Sequence, residues 1–220
     1  PAHLLDAKLV YFANPDNPMG SWYNADTVQR LIDTLPSSCL LVLDEAYIDL
    51  APSGTAPDLL PETNNVIRLR TFSKAYGMAG ARVGYAIGPK SLMTAFEKMR
   101  NHFGLSRISQ AGALAALKDQ AYVAEIKQKV AKSRETLEQI AQDNGLTPLP
   151  SATNFVTIDC GGDGGFASKV LEQMIARAVF IRMPAVAPMN RCIRISCGDS
   201  AAMALVATVL PQALKAARLG

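Results

Sequence analysis

The sequence predicts an α/β fold: a mostly parallel sheet with flanking helices, followed by a small α+β C-terminal domain. Three observations carry this. Short apolar runs bounded by turn residues recur through the first half, and runs of that kind fit strands buried on both faces. An amphipathic helical segment lies between the first two runs, and strand–helix–strand order favours a parallel sheet. After Pro148 and Pro150 the pattern changes to strand, helix, strand, strand, helix.

The first strand is expected at residues 8–13 (KLVYFA), ending in Asn-Pro turns. A helix follows over residues 24–35, with Val28, Leu31, Ile32 and Leu35 on one face, Asn24 or Asp26 as cap and Pro36 past its end. Residues 39–43 (CLLVL), 66–69 and 83–87 read as further strands. Residues 89–100 read as a helix with Leu92, Ala95, Phe96 and Met99 on its apolar face, and residues 108–117 as an Ala-rich one. A long helix then carries Tyr122, Val123, Ile126, Val130, Leu137 and Ile140 at helical spacing, and Asn144-Gly145 should stop it. Beyond it, strands are expected at residues 155–159, 179–182 and 193–197. Helices are expected at residues 167–178 and 201–218, the last kinked or restarted at Pro211. The run of glycines at residues 161–165 lacks the spacing of a phosphate loop and reads as a strand-to-helix turn. The expected organisation is residues 1–118 in a large domain, 119–145 as connecting helix and 146–220 as a small domain.

Composition narrows the function classes. Of 220 residues, 49% are apolar, enough for a sizeable core and too many for a wholly disordered chain. Twenty-two basic and 19 acidic residues leave a net charge of only +3, without the basic cluster of a nucleic-acid binder. The uncharged stretch 200–214 is interrupted by Pro211 and falls short of a membrane span. The first residue is Pro1, and no signal-peptide pattern follows. The four cysteines show no CxxC or CxxH spacing and read as reduced thiols, and two histidines argue against a histidine-built metal site. The expectation is a cytoplasmic protein that binds neither nucleic acid nor membrane.

Three clusters fall at the carboxyl ends of expected parallel strands, where open α/β sheets bind ligands. Residues 14–20 (NPDNPMG) form a rigid turn able to hold an amide in fixed orientation. Asp44, Glu45, Ala46 and Tyr47 follow the second strand. A carboxylate there is costly unless paired, so Asp44 serves either as a helix cap or as partner to a cationic ligand nitrogen. Residues 71–85 (TFSKAYGMAGARVGY) put Ser73 and Lys74 after an apolar strand, suited to a Schiff base. Three glycines allow tight turns, and Arg82 can grip an anion.

NPxNPxG, DEAY and SKxxGxxGxRxGY, in this order and spacing, resemble the motifs of the fold-type I pyridoxal-phosphate aminotransferases, closest to the histidinol-phosphate aminotransferase group. The resemblance implies pyridoxal 5'-phosphate as cofactor. It implies that Lys74 holds the cofactor and acts as proton carrier, with Asp44 on the pyridine nitrogen and Tyr47 and Asn17 on the ring hydroxyl oxygen. Ser73 and Arg82 would then hold the phosphate. Arg194, within residues 192–196 (CIRIS), matches the family's carboxylate-gripping arginine, and Arg182 a position that helps bind the substrate's anionic end. Both have a plain reading as surface ion pairs.

The implied activity moves an amino group between glutamate or 2-oxoglutarate and a second amino donor or acceptor, in a homodimer acting on small amino and 2-oxo acids. Two departures accompany it. Residues 183–188 (MPAVAP) are unlike the usual histidinol-phosphate loop. The family's phosphate loop and ring-stacking aromatic lie upstream of the first motif, so the chain is expected to be a C-terminal portion with its large domain incomplete on the N-terminal side. The alternatives are a decarboxylase of the threonine-phosphate type, a non-catalytic sensor domain of a transcription regulator, and an inactive fragment.

Overall fold

In the computed structural model, which describes residues 6–63 and 65–219, strands β1 (Leu9–Ala13), β2 (Leu40–Asp44), β3 (Val66–Thr71) and β4 (Gly84–Ile87) form one sheet in that order. β1 pairs parallel with β2, and β2 parallel with β3, while β4 runs antiparallel to β3. The reversal has a local cause. A parallel return needs a long crossover, usually a helix, whereas the link from Thr71 to Gly84 holds only the short 3-10 turn Ala79–Ala81.

Helix α1 (Ala25–Thr34) starts where the sequence places it: the Asn24 side chain accepts from Thr27 N at 2.9 Å. Its Val28 packs on Leu41, Leu43 and Val66, with Val10 and Phe12 of β1 alongside. Alternation along the strands therefore puts residues 41, 43 and 45 of β2 and its exit on the helix-covered face, with Asp44 on the other.

The expectation of strands buried on both faces fails at β1. Leu9 and Tyr11 of β1 are more than half exposed, because α1 covers one face only. Helix α2 (Lys90–Met99) forms as expected, but its apolar face stays uncovered: no residue of it is buried, and Met99 is 86% exposed. Helix α3 (Arg107–Lys118), capped by the Ser106 hydroxyl, buries Ala113 alone.

Helix α4 (Gln120–Asp143) ends at Gly145, whose φ of +71° and N–H to the Gln142 carbonyl form a glycine stop. Beyond it stand β5 (Thr147–Pro148), β6 (Phe155–Asp159) and β7 (Cys192–Ser196), an antiparallel sheet in that order. Helix α5 (Gly164–Ile175) is capped by Asp163, so the glycine run is the strand-to-helix turn expected. The strand expected at residues 179–182 is not one. It makes a single bridge, Arg182 to Arg194, and Pro184, without an N–H, cannot extend that bridge toward Cys192. Helix α6 (Ser200–Leu219) runs through Pro211 without restarting. By length and composition it is apolar enough to cross a membrane, and its Met203, Val206, Leu210 and Leu214 enter a core with Val156, Ile158, Ile193 and Leu137.

The chain divides into two compact units. The first comprises the residues up to Asp16 together with Trp22–Ile126, and the second Asn17–Ser21 together with the chain from Lys127 onward. The units part within α4, where the sequence assigns the whole helix to a connector.

Candidate active site

In the first unit the motif residues emerge at the carboxyl ends of three adjacent parallel strands. The ladder closes at Ala13 opposite Asp44 and at Asp44 opposite Leu69, with Asn14 N donating to the Asp44 carbonyl and Glu45 N to the Leu69 carbonyl. Asn14 is buried, and its side-chain amide both donates to and accepts from the Tyr23 backbone, at 3.1 and 2.8 Å. Asn14 is thus one amide that the first motif holds in fixed orientation.

The Asp44 carboxylate has a partner on each oxygen. Oδ1 accepts from Ala46 N at 3.0 Å, and Oδ2 accepts from the Tyr11 hydroxyl. Tyr11 is pushed up to about 12, chiefly because its proton is the one that bond needs. Nothing in the sequence pattern marked Tyr11 beyond its place in an apolar run.

Lys74 follows β3 by three residues. The turn that presents it is tied by Met78 N to the Phe72 carbonyl and Gly77 N to the Lys74 carbonyl, at 2.9 and 3.0 Å. The half-buried Lys74 Nζ stands over the buried Tyr47 ring, 5.0 Å from its centroid, a cation–π placement. Ser73 N donates to the Thr71 hydroxyl at 3.0 Å. Two glycines of the motif have structural reasons. Gly77 has φ +68°, and a Cβ on Gly84 would stand 2.9 Å from the Arg70 carbonyl oxygen. Gly80 has neither; Arg82 takes the left-handed conformation at φ +54°. The Arg82 side chain is exposed and donates from Nη1 to the Ala79 carbonyl at 2.8 Å.

Behind Asp44, on the helix-covered face, lies a group that sequence reasoning missed. Glu45 is 1% exposed and accepts from Arg68 Nε and Nη2 at 2.9 and 2.8 Å and from Arg70 Nε at 2.9 Å. Burial, the largest single influence, works to lower the Arg70 pKa; the Glu45 charge and hydrogen bond, with smaller help from Tyr85 and Asp49, together outweigh it, and the net direction is upward. The available signal was two arginines at alternate positions of an otherwise apolar strand, VIRLRT, beside an acid-ended one.

The second unit holds the remaining site residues of the sequence analysis. Arg194 on β7 lies 4.7 Å from the Phe155 ring centroid and donates from Nη1 to Asn17 Oδ1. Arg182 and Arg194 exchange backbone hydrogen bonds at 3.0 and 2.6 Å, and the Arg182 guanidinium rests 5.6 Å from the Phe180 ring centroid. Directly opposed residues of an antiparallel pair share a face, so the two guanidinium groups do. The structure therefore brings Asp44, Tyr47, Ser73, Lys74 and Arg82 into one unit, and Asn17, Arg182 and Arg194 into the other.

Comparison with known proteins bears on the whole chain. The family model for aminotransferase class I and II matches residues 2–210. A histidinol-phosphate aminotransferase of Geobacillus sp. (strain WCH70) is 35% identical over 215 residues, covering 96% of this chain and 58% of that protein. Histidinol-phosphate aminotransferase 2 of Pseudomonas aeruginosa is 36% identical over 194 residues, covering 87% and 52%. The crystal structure of histidinol-phosphate aminotransferase from Sinorhizobium meliloti, in complex with pyridoxal-5'-phosphate, matches at 52% identity with a TM-score of 0.94, covering 98% of this chain and 59% of that one. The chain thus spans between half and three-fifths of the length of these relatives. With its three motifs at the ends of adjacent parallel strands and its match to the family model along nearly its full length, the chain belongs to the aminotransferase class I and II family.

Proposed function

We propose that the full-length protein is a pyridoxal-phosphate-dependent aminotransferase of the histidinol-phosphate type. It would move an amino group between glutamate or 2-oxoglutarate and a second small amino donor or acceptor. The carrying observation is Lys74, whose half-buried ammonium stands over the Tyr47 ring while the Asp44 carboxylate closes the neighbouring strand. Relatives of 35–52% identity support this reading over the decarboxylase alternative.

The donor set fits the cofactor. Lys74 offers a primary amine and Asp44 a carboxylate already oriented by two donors. Arg82 offers a guanidinium with one nitrogen committed to Ala79, and Ser73 offers a hydroxyl from the same loop. When bound, pyridoxal phosphate supplies the electron sink that makes a substrate Cα proton removable. The protein's part is then binding, orientation and proton transfer. Asp44 would keep a proton on the pyridine nitrogen. Tyr47 and Asn17 would hydrogen-bond the ring hydroxyl oxygen, and Ser73 and Arg82 would hold the phosphate. Lys74 Nζ would hold the cofactor through its aldehyde carbon and, as the free amine during turnover, would take the substrate's Cα proton. Arg194 grips the substrate carboxylate through its planar fork, and Arg182, on the same face, serves a second anionic end.

The protein is further read as a cytoplasmic homodimer. Four free cysteines, three of them buried, support the location, and the exposed Phe96, Met99, Phe103 and Ile108 support the association. Borohydride reduction of the pyridoxal-phosphate-loaded protein, followed by peptide mapping, tests the assignment. The label is expected on Lys74, and a label on another lysine overturns it. Conversion of glutamate to 2-oxoglutarate, without carbon dioxide release, separates transamination from decarboxylation.

A further inference from the structure

The Glu45 carboxylate is withdrawn from water almost completely, yet it sits one residue from Asp44 and two from Tyr47. Its two arginines come from the strand that leads into Ser73 and Lys74, Arg70 lying four residues before Lys74. The backbone ladder between β2 and β3 ends here, with Glu45 N on the Leu69 carbonyl at 2.9 Å. The ladder takes in Asp44, opposite Leu69, and past it one segment leads to Tyr47 and the other to Ser73 and Lys74. Three charge-assisted hydrogen bonds, from Arg68 Nε and Nη2 and from Arg70 Nε, tie the two strands together where the ladder ends.

Stability alone gives a poor reason for such a group. Apolar side chains of the same volume serve a core as well as a buried ion cluster or better. What a carboxylate gripped from two sides adds is direction, because each bond fixes an angle as well as a distance. Glu45 faces the α1-covered side of the sheet and Asp44 the other, so the clamp works from behind the site and touches no ligand.

We propose that Glu45, gripped by Arg68 and Arg70, is a positioning residue that sets Asp44 and Tyr47 against Lys74. The inference rests on reading those three residues as cofactor-binding. A shift of the β2 exit relative to the β3 exit would change the span between the group meeting the ring nitrogen and the amine anchoring the aldehyde carbon.

The test uses the full-length protein with pyridoxal phosphate as probe. Glu45→Asp keeps the charge but retracts the carboxylate by about 1.5 Å. Arg70→Gln removes the arm whose side chain is 21% exposed, and Arg70→Lys is the conservative rescue. Folded variants should load pyridoxal phosphate onto Lys74 about tenfold more slowly, followed by absorbance and borohydride mapping, and lose about a hundredfold in kcat with KM for glutamate little changed. Arg70→Lys should recover part of both. Folded variants with wild-type loading rate and kcat overturn the proposal, even if their melting temperature falls. If Glu45→Asp does not fold, Arg70→Gln decides. An Arg70→Gln protein that also fails to fold makes the clamp a folding element and overturns the positioning role. Wild-type protein that forms no adduct at Lys74 refutes the functional reading itself, a result distinct from unchanged variants of a wild type that loads normally.

Discussion

Tyr11 and Asp44 show how one proton couples a surface phenol to the site. The Tyr11 hydroxyl donates to Asp44, and its pKa stands near 12 against an ordinary value of 10. A folded-state pKa above the unfolded one means the folded state holds the proton more tightly. The stability from this bond is therefore complete below pH 10 and is lost as pH rises toward 12. Tyr11→Phe should melt below wild type at pH 9, and the gap should narrow at pH 11. Tyr11 is 59% exposed, so solvent screening keeps the gap at ~1 kcal/mol or less. Thermal melts at the two pH values check this, and a gap that widens with pH refutes it. The position of Asp44 was legible in the sequence, because a carboxylate ending an apolar strand demands a partner. The partner was not, since Tyr11 precedes it by 33 residues and meets it only through the β1–β2 register.

Helix ends were the most legible elements, because a cap is settled by a few adjacent residues. Asn24, one of the two caps the sequence allowed, accepts from Thr27 N, and Asp26 falls in the first turn. Asn24→Ala should cost ~1 kcal/mol of stability, read as a lower urea midpoint at unchanged slope. Burial of whole faces was less legible. The residues of α2 have helical spacing and form a helix, yet the face stays exposed, since periodicity reports which side is apolar and says nothing of what covers it. The direction of β4 was also undecided by pattern, because an apolar run reads the same either way. The short link without an α-helix, Thr71 to Gly84, decides it.

For the whole molecule, the first motif has a second role. Its leading residues belong to the first unit, but Asn17–Ser21 count with the second. Three bonds hold that short piece there: the Thr157 hydroxyl to the Pro18 carbonyl at 2.6 Å, Ala152 N to the Gly20 carbonyl at 2.9 Å, and Arg194 to Asn17. Thr157 is fully buried on β6. Thr157→Val keeps the volume and removes the first bond, leaving the Pro18 carbonyl without that donor. It should destabilise by ~1–3 kcal/mol in denaturant unfolding, and a neutral effect would show that the attachment contributes nothing. The sequence reading gave Asn17 to the cofactor and took residues 14–20 as a turn, because spacing within a motif carries no information about a partner some 140 residues away.

Sequence alone was sufficient for the family, the order of most elements, the start of α1 and the stop of α4. Those depend on residue type and short spacing, which chain-local physics reads directly. Tertiary structure decided what pairs across the chain. It joined Glu45 to Arg68 and Arg70, Asp44 to Tyr11, and Asn17 to Arg194. It also split a continuous motif between two compact units. Each of those outcomes hangs on strand register and on which sheet face a side chain occupies. A shift of one residue in register reverses every face at once, so no local pattern can settle them.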